Sequence, residues 1–233
     1  MSDLESPGKD WEVSEMLLPP RMAGGVPFSR RSSILSEADP MGVAAKPPKP
    51  HLSAEEYLAI ERSSDFRSEH IDGEMVAMVG GSWEHSLIIG NALAEIKQQL
   101  RGGPCKVHAS DLRVQAPDGL RTYPDVVVVC GEPVFSDEHR DMVTNPKLIL
   151  EVLSPTTESY DRGRKFESYR TIPSLEEYVL VSQERPHVER FLRQPEGAWL
   201  FVEVAGLQEA ISLSSLGCRL SLEALYEGVD SLF

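Results

Sequence analysis

Two runs of the chain are apolar at nearly every position. Val126-Val127-Val128-Val129 and Leu148-Ile149-Leu150-Glu151-Val152-Leu153 lack the alternation of a strand with one wet face. Runs of this kind mark strands buried on both faces. The second is fenced by Pro146 and Pro155. Elsewhere the period changes. Between Trp83 and Leu100 the apolar residues Leu87, Ile88, Leu93, Ile96 and Leu100 recur at helical spacing, with Ser82 as candidate cap and Gly102-Gly103-Pro104 as stop. Ser53-Ala54-Glu55-Glu56 is a capping box and predicts a helix to about Glu61. Phe66 to Met78 alternates about Asp72-Gly73, a hairpin signal, and Glu69 shares the strand face of Ile71.

The rest of the chain reads as β-rich. Cys105 to Ala116 reads as one strand, closed by the turn Pro117-Asp118-Gly119. Gly131 to Asn145 is polar and acidic and reads as a flexible rim. Glu177 to Val181 is a strand. Val188 to Leu192 and Trp199 to Val204 form an antiparallel pair through Pro195-Glu196-Gly197. Ala210 to Leu213 is a short strand and Ser221 to Leu225 a brief helix. No internal repeat is visible. Residues 1–50 carry no sustained period and are rich in breakers such as Pro19-Pro20, Gly24-Gly25 and Lys46-Pro47-Pro48-Lys49-Pro50. They are expected to be a disordered extension, with Met16-Leu17-Leu18 and Ile34-Leu35 as spots that could dock on a protein partner. Residues 51–233 form the ordered domain.

Two carboxylates change this picture. Asp125 abuts the valine run and Glu151 stands inside the leucine-rich one. A charge in a doubly buried strand is costly unless a counter-charge or metal compensates it. Past Pro155, helical spacing puts Asp161, Lys165, Tyr169 and Ile172 on one face. Lys165 thus approaches from the inner edge of the next helix, although an ordinary i,i+4 pair with Asp161 would account for it equally well. Acid, acid and lysine form a kit for phosphodiester cleavage. Carboxylates hold Mg²⁺ or Mn²⁺, the ion activates water, and the ammonium meets phosphate charge. His85, in the first turn of its helix, reads as a surface or packing residue. Asp111, inside the Cys105 to Ala116 strand, is a lesser candidate to approach the cluster. No GxSxG surrounds Ser154, and HExxH and P-loop signatures are absent.

Charge and cysteines set limits. The 233 residues carry a formal net charge of -14, with Lys+Arg 23 against Asp+Glu 37. That balance opposes general nucleic-acid binding unless a local basic patch or a metal offsets it. Cys105, Cys130 and Cys218 contain no CxxC and indicate neither a zinc ribbon nor a disulfide framework, so a reducing cytoplasm is expected. No basic segment leads into an apolar one, and no run approaches about 18 apolar residues, so neither a secretory signal nor a membrane span is expected.

Taken in order, these motifs resemble a family. Tyr123-Pro124-Asp125 before the valines, Leu150-Glu151-Val152-Leu153-Ser154-Pro155-Thr156, Asp161 and Lys165 before Tyr169, and Glu177-Tyr178 opening a strand are similar to the Uma-type family of restriction-endonuclease-like proteins. That family is a branch of the PD-(D/E)XK nuclease superfamily, and the likeness runs from about Leu52 to Leu225. It implies an α/β (α+β) chain with a central mixed sheet flanked by helices. It also implies Asp125 and Glu151 as metal ligands, Lys165 as the lysine and Glu69 as a further acid. The superfamily's lysine position, two after the second acid, is occupied here by Leu153, and the branch carries its lysine on the following helix instead. The implied activity is Mg²⁺-dependent DNA cleavage, for which a homodimer would suit two-strand cutting. The alternative is a catalytically silent binding or accessory protein on a nuclease scaffold.

Overall fold

A computed structural model describes residues 51–229. The expected disordered extension, residues 1–50, lies outside the described residues. The capping box forms as read. Ser53 Oγ accepts the Glu56 amide and the Glu56 carboxylate accepts the Ser53 amide, opening α1 (Ala54–Ser63). The hairpin follows as β1 (Ser68–Ile71) and β2 (Glu74–Ala77), with Asp72 and Gly73 both at positive φ, as a tight hairpin turn requires. Next is α2 (Trp83–Gln99), whose Ser82 cap accepts the His85 amide.

The stretch read as one strand from Cys105 to Ala116 is two. β3 (Cys105–Ala109) and β4 (Arg113–Gln115) belong to different sheets, because the Asp111 and Leu112 amides both fold back to the Ala109 carbonyl. After β5 (Arg121–Thr122) and β6 (Val126–Cys130), the polar loop holds a short strand, β7 (Met142–Val143). It is pinned where a flexible rim was expected: Arg62 donates to both Asp137 and Asp141, and Asn145 accepts the Val134 amide. Then come β8 (Leu148–Leu153), a broken helix consisting of α3 (Glu158–Tyr160), a π turn (Asp161–Lys165) and α4 (Phe166–Tyr169), and β9 (Glu177–Ser182). The chain closes with β10 (His187–Arg193), β11 (Trp199–Ala205), β12 (Ala210–Leu213), β13 (Cys218–Ser221) and α5 (Leu222–Leu225).

The architecture is α+β with mixed sheets. A six-stranded sheet runs β11-β10-β9-β8-β6-β3, with β8 and β9 parallel and the other pairs antiparallel. A five-stranded sheet runs β2-β1-β5-β4-β7, and β12 pairs with β13. Both apolar runs are fully buried strands because the larger sheet is covered on both faces. One face, with Val126, Val128, Leu150 and Val152, packs on Ile88, Ala92 and Ile96 of α2 and on α5. The other, with Val127, Val129, Ile149 and Leu153, meets Tyr169, Ile172, Leu175 and Val114. Burying a side chain such as Ile88 or Ile96 contributes roughly 1.5–3 kcal/mol. No helix among the described residues is long and apolar enough to cross a membrane.

One cysteine expectation fails. Cys105 and Cys130 are register partners on β3 and β6 and form a disulfide, while Cys218 is free and buried. Their separation of 25 residues concealed a direct cross-strand pairing.

Candidate active site

Strand alternation sets the two central acids on one face. Asp125 precedes Val126, and Val126 pairs with Leu150, so Asp125 and Glu151 follow the parity of Val127 and Ile149. The Asp125 amide donates to Glu151 Oε2 at 3.3 Å, and Asp125 Oδ2 accepts the Val152 amide at 2.7 Å. The third acid, Glu69, comes from β1 in the other sheet. Glu61 at the end of α1 fixes that neighbourhood, accepting the Ser68 amide at 3.2 Å and the Tyr123 hydroxyl at 2.8 Å.

Lys165 arrives through the π turn. Such turns insert an extra residue into a helix and recur at functional sites. Here Asp161 and Lys165 are buried, while Arg162 is held by Glu158 and Glu189 and Arg164 by Asp72. The Asp161 carbonyl accepts the Tyr178 hydroxyl at 3.0 Å. Lys165 Nζ lies 3.1 Å from Glu151 Oε1, 3.1 Å from Asp161 Oδ1 and 3.4 Å from Glu69 Oε1. Tyr169 also donates to Glu151 Oε1, at 3.0 Å. The structure therefore brings Glu69, Glu151 and Lys165 together and sets Asp125 against Glu151. Asp111 is elsewhere, paired with Arg67.

Burial dominates the electrostatics. Glu151 is 2% exposed and Lys165 6%. Burial pushes the Glu151 carboxyl well above its ordinary range, against the pull of Lys165 and helped by the charges of Asp125, Asp161 and Glu69. Burial likewise raises Asp125, opposed by His85, the Val152 amide and Lys165. For Lys165, burial alone would strip the proton. The surrounding Glu151, Tyr169, Glu69 and Asp161 outweigh it and hold the ammonium charged well beyond the usual lysine range. Four carboxylates thus face one ammonium in a poorly solvated cleft. An oxygen-only, electron-rich donor set with a deficit of positive charge fits a hard divalent cation.

Sequence reasoning passed over two members. His85 reaches in from the first turn of α2, with Nε2 3.0 Å from the Val152 carbonyl oxygen and 3.5 Å from Asp125 Oδ2. Its approach depends on Gly81, where a Cβ would lie 2.6 Å from the imidazole Nδ1. Asp161 was legible as a helical partner of Lys165 and as part of the motif that carries the family resemblance, without a role of its own. Glu177, by contrast, serves the fold: it accepts the amides of Ser214 and Ser215. Away from the cleft, His187, Glu189 and Glu203 bring ligand atoms within 4.8 Å of one another, but Arg162 grips Glu189 with both terminal nitrogens. That group is a satisfied ion-pair network. The acids of the cleft are spread around the Lys165 ammonium instead.

The cleft has a volume of about 580 Å³ and is lined by Asp125, Glu151, Lys165, Asp161, Glu69 and His85 on the polar side. Beside Glu69, the β1–β2 hairpin and the residues after it add the apolar lining residues Ile71, Val76, Ala77, Met78 and Val79.

Comparison with known proteins gives consistent relatives. The Uma2 family model, described as "Putative restriction endonuclease", matches residues 54–224. Two uncharacterized proteins of Synechocystis sp., slr1290 and sll1609, are each 36% identical to this chain. The first match covers 78% of this chain and 95% of the relative, and the second 70% and 93%. A crystal structure described as "a putative nuclease belonging to DUF820" from Anabaena variabilis superposes with a TM-score of 0.61. It is 17% identical, and the match covers 74% of this chain and 96% of that one, a likeness of fold.

Proposed function

We propose that this chain, which belongs to the Uma2 family, hydrolyses phosphodiester bonds of DNA with the help of a divalent cation. One observation carries the reading. A single buried ammonium lies within 3.4 Å of carboxylates from β1, β8 and the π turn, at the floor of a cleft that also holds Asp125. Asp125 and Glu151 would hold Mg²⁺ or Mn²⁺, which when bound supplies Lewis-acid stabilisation and a water of lowered pKa. The remaining work falls to the chain. The Lys165 ammonium, kept charged by its neighbours, faces the phosphate and offsets charge that grows in the transition state. Tyr169 orients Glu151 by donating to Oε1. Glu69 and Asp161 hold the ammonium in place, and His85, anchored on the Val152 carbonyl, stands 3.5 Å from Asp125 Oδ2.

Nicking of supercoiled plasmid in Mg²⁺ or Mn²⁺ tests this. Asp125→Ala and Lys165→Ala are each expected to abolish it. Undiminished nicking by purified Asp125→Ala rejects the site. A homodimer would place two such clefts for cutting both strands, and a cytoplasmic protein would meet DNA directly.

The net charge of -14 favours a second reading, a binding or accessory protein that keeps the scaffold without turnover. Calorimetry separates the two. Mn²⁺ binding that needs both Asp125 and Glu151 supports the nuclease. Absence of metal binding together with capture of one defined partner supports the accessory protein.

A further inference from the structure

We infer that the cleft seats one unpaired nucleotide, which makes single-stranded or locally unpaired DNA the substrate class; this rests on the nuclease reading above. Depth is the first argument. Glu151 and Lys165 are almost fully buried, so a scissile phosphate must descend to the floor to meet them. A volume of about 580 Å³ falls in the range of roughly 300–1,000 Å³ that takes a single small ligand. A phosphate in an intact duplex brings its stacked neighbours and the opposing strand with it. Enzymes whose chemistry sits where paired bases cannot follow work on single strands or extruded nucleotides.

The walls give the second argument. A phosphate needs only the acidic and basic part of the lining. Ile71, Val76, Ala77 and Val79 offer a phosphate no polar side chain and suit the face of a base. Val79, in the lining, is 83% exposed, and Trp83, the residue directly after the lining residue Ser82, is 76% exposed. Exposed aromatic rings are what single-strand binders offer to successive bases. Charge is the third argument. Among the described residues, Lys165 and His85 are the only basic ones lining the cleft, on a chain of net charge -14. Duplex binders neutralise several phosphates with lysine and arginine, whereas stacking binds single strands with fewer.

The test uses the full chain and a 5′-labelled oligonucleotide, as a single strand or annealed to its complement. Anisotropy in EDTA reads binding, and gel assays in Mn²⁺ read cleavage. The single strand is expected to bind and be cut at least about tenfold better than the duplex. Ala77→Trp, at an exposed strand position, fills the cleft and is expected to cost the single strand about tenfold or more in affinity with an unchanged circular dichroism spectrum. Trp83→Ala should weaken it several-fold, with Trp83→Phe restoring most of the loss. Equal or better cutting of duplex that depends on Asp125 overturns this inference and leaves the nuclease standing. Unchanged affinity in Ala77→Trp, or no binding of either form, also overturns it. Single-strand binding that Ala77→Trp removes, with no Asp125-dependent cutting, sustains the occupant and sinks the nuclease.

Discussion

Lys165 sets the charge balance of the cleft, and its removal is the sharpest residue-level test. Lys165→Met leaves four acids with no buried counter-charge, and breaking a buried ion pair from one side costs about 3–5 kcal/mol. Urea unfolding at pH 8 should show a loss of that order. The pH dependence has a definite sign. Asp125 and Glu151 have folded values raised above their ordinary 3.8 and 4.5, so the folded state binds more protons than the unfolded one. Stability associated with these groups is therefore greatest at low pH and falls as pH rises from about 4 towards the folded values. Without the ammonium that fall should steepen, so Lys165→Met should recover towards wild type between pH 8 and pH 5. A loss independent of pH would contradict the charge argument. The charge pair was readable from sequence because a carboxylate inside an apolar run is expensive. His85 was not, since its partners, the Val152 carbonyl and Asp125, lie on distant strands. Gly81→Ala should displace the imidazole and cut cleavage by roughly tenfold to a hundredfold without loss of fold. Unaltered rates would remove His85 from the site.

At the scale of elements, local patterns served wherever one residue type dictates geometry. The Ser53 box, the Asp72-Gly73 hairpin, the α2 stripe and the two apolar strands all form where periodicity and turn chemistry put them. Where partners are distant in the chain, the pattern was silent. Nothing in Cys105 to Ala116 announces that its halves join different sheets, because the break is a backbone fold-back at Ala109. The π turn was equally hidden, since helical spacing already put Asp161 and Lys165 on one side. The Cys105–Cys130 pairing is of the same kind and can be checked directly. Alkylation of the purified, air-exposed, denatured protein should tag one cysteine before reduction and three after it. Three tags without reduction would show the pair open, as expected for a protein kept in a reducing compartment.

For the whole molecule, excess negative charge constrains how any nucleic acid is held. With two basic residues among the described ones lining the cleft, binding of a single strand should depend weakly on salt, with a log–log slope of about -1 to -2. A slope of about -4 or steeper would require a basic track elsewhere on the surface. Loading with Mn²⁺ should raise the melting temperature, by an amount equivalent to about 2.7 kcal/mol at a hundredfold excess over Kd. The rise should be larger at pH 8 than at pH 5, because ligands must shed protons to bind. Asp125→Asn should erase it. The central mixed sheet was carried by the family resemblance; the second, five-stranded sheet was not, since no local run specifies which strand neighbours which. Glu69 reaches the ammonium from the five-stranded layer and Glu151 from the six-stranded one. The same contact that readies the floor of the cleft is thus a rivet between the layers. Any anion that bids for Lys165 must first slacken that rivet, so this protein has to breathe in order to be filled.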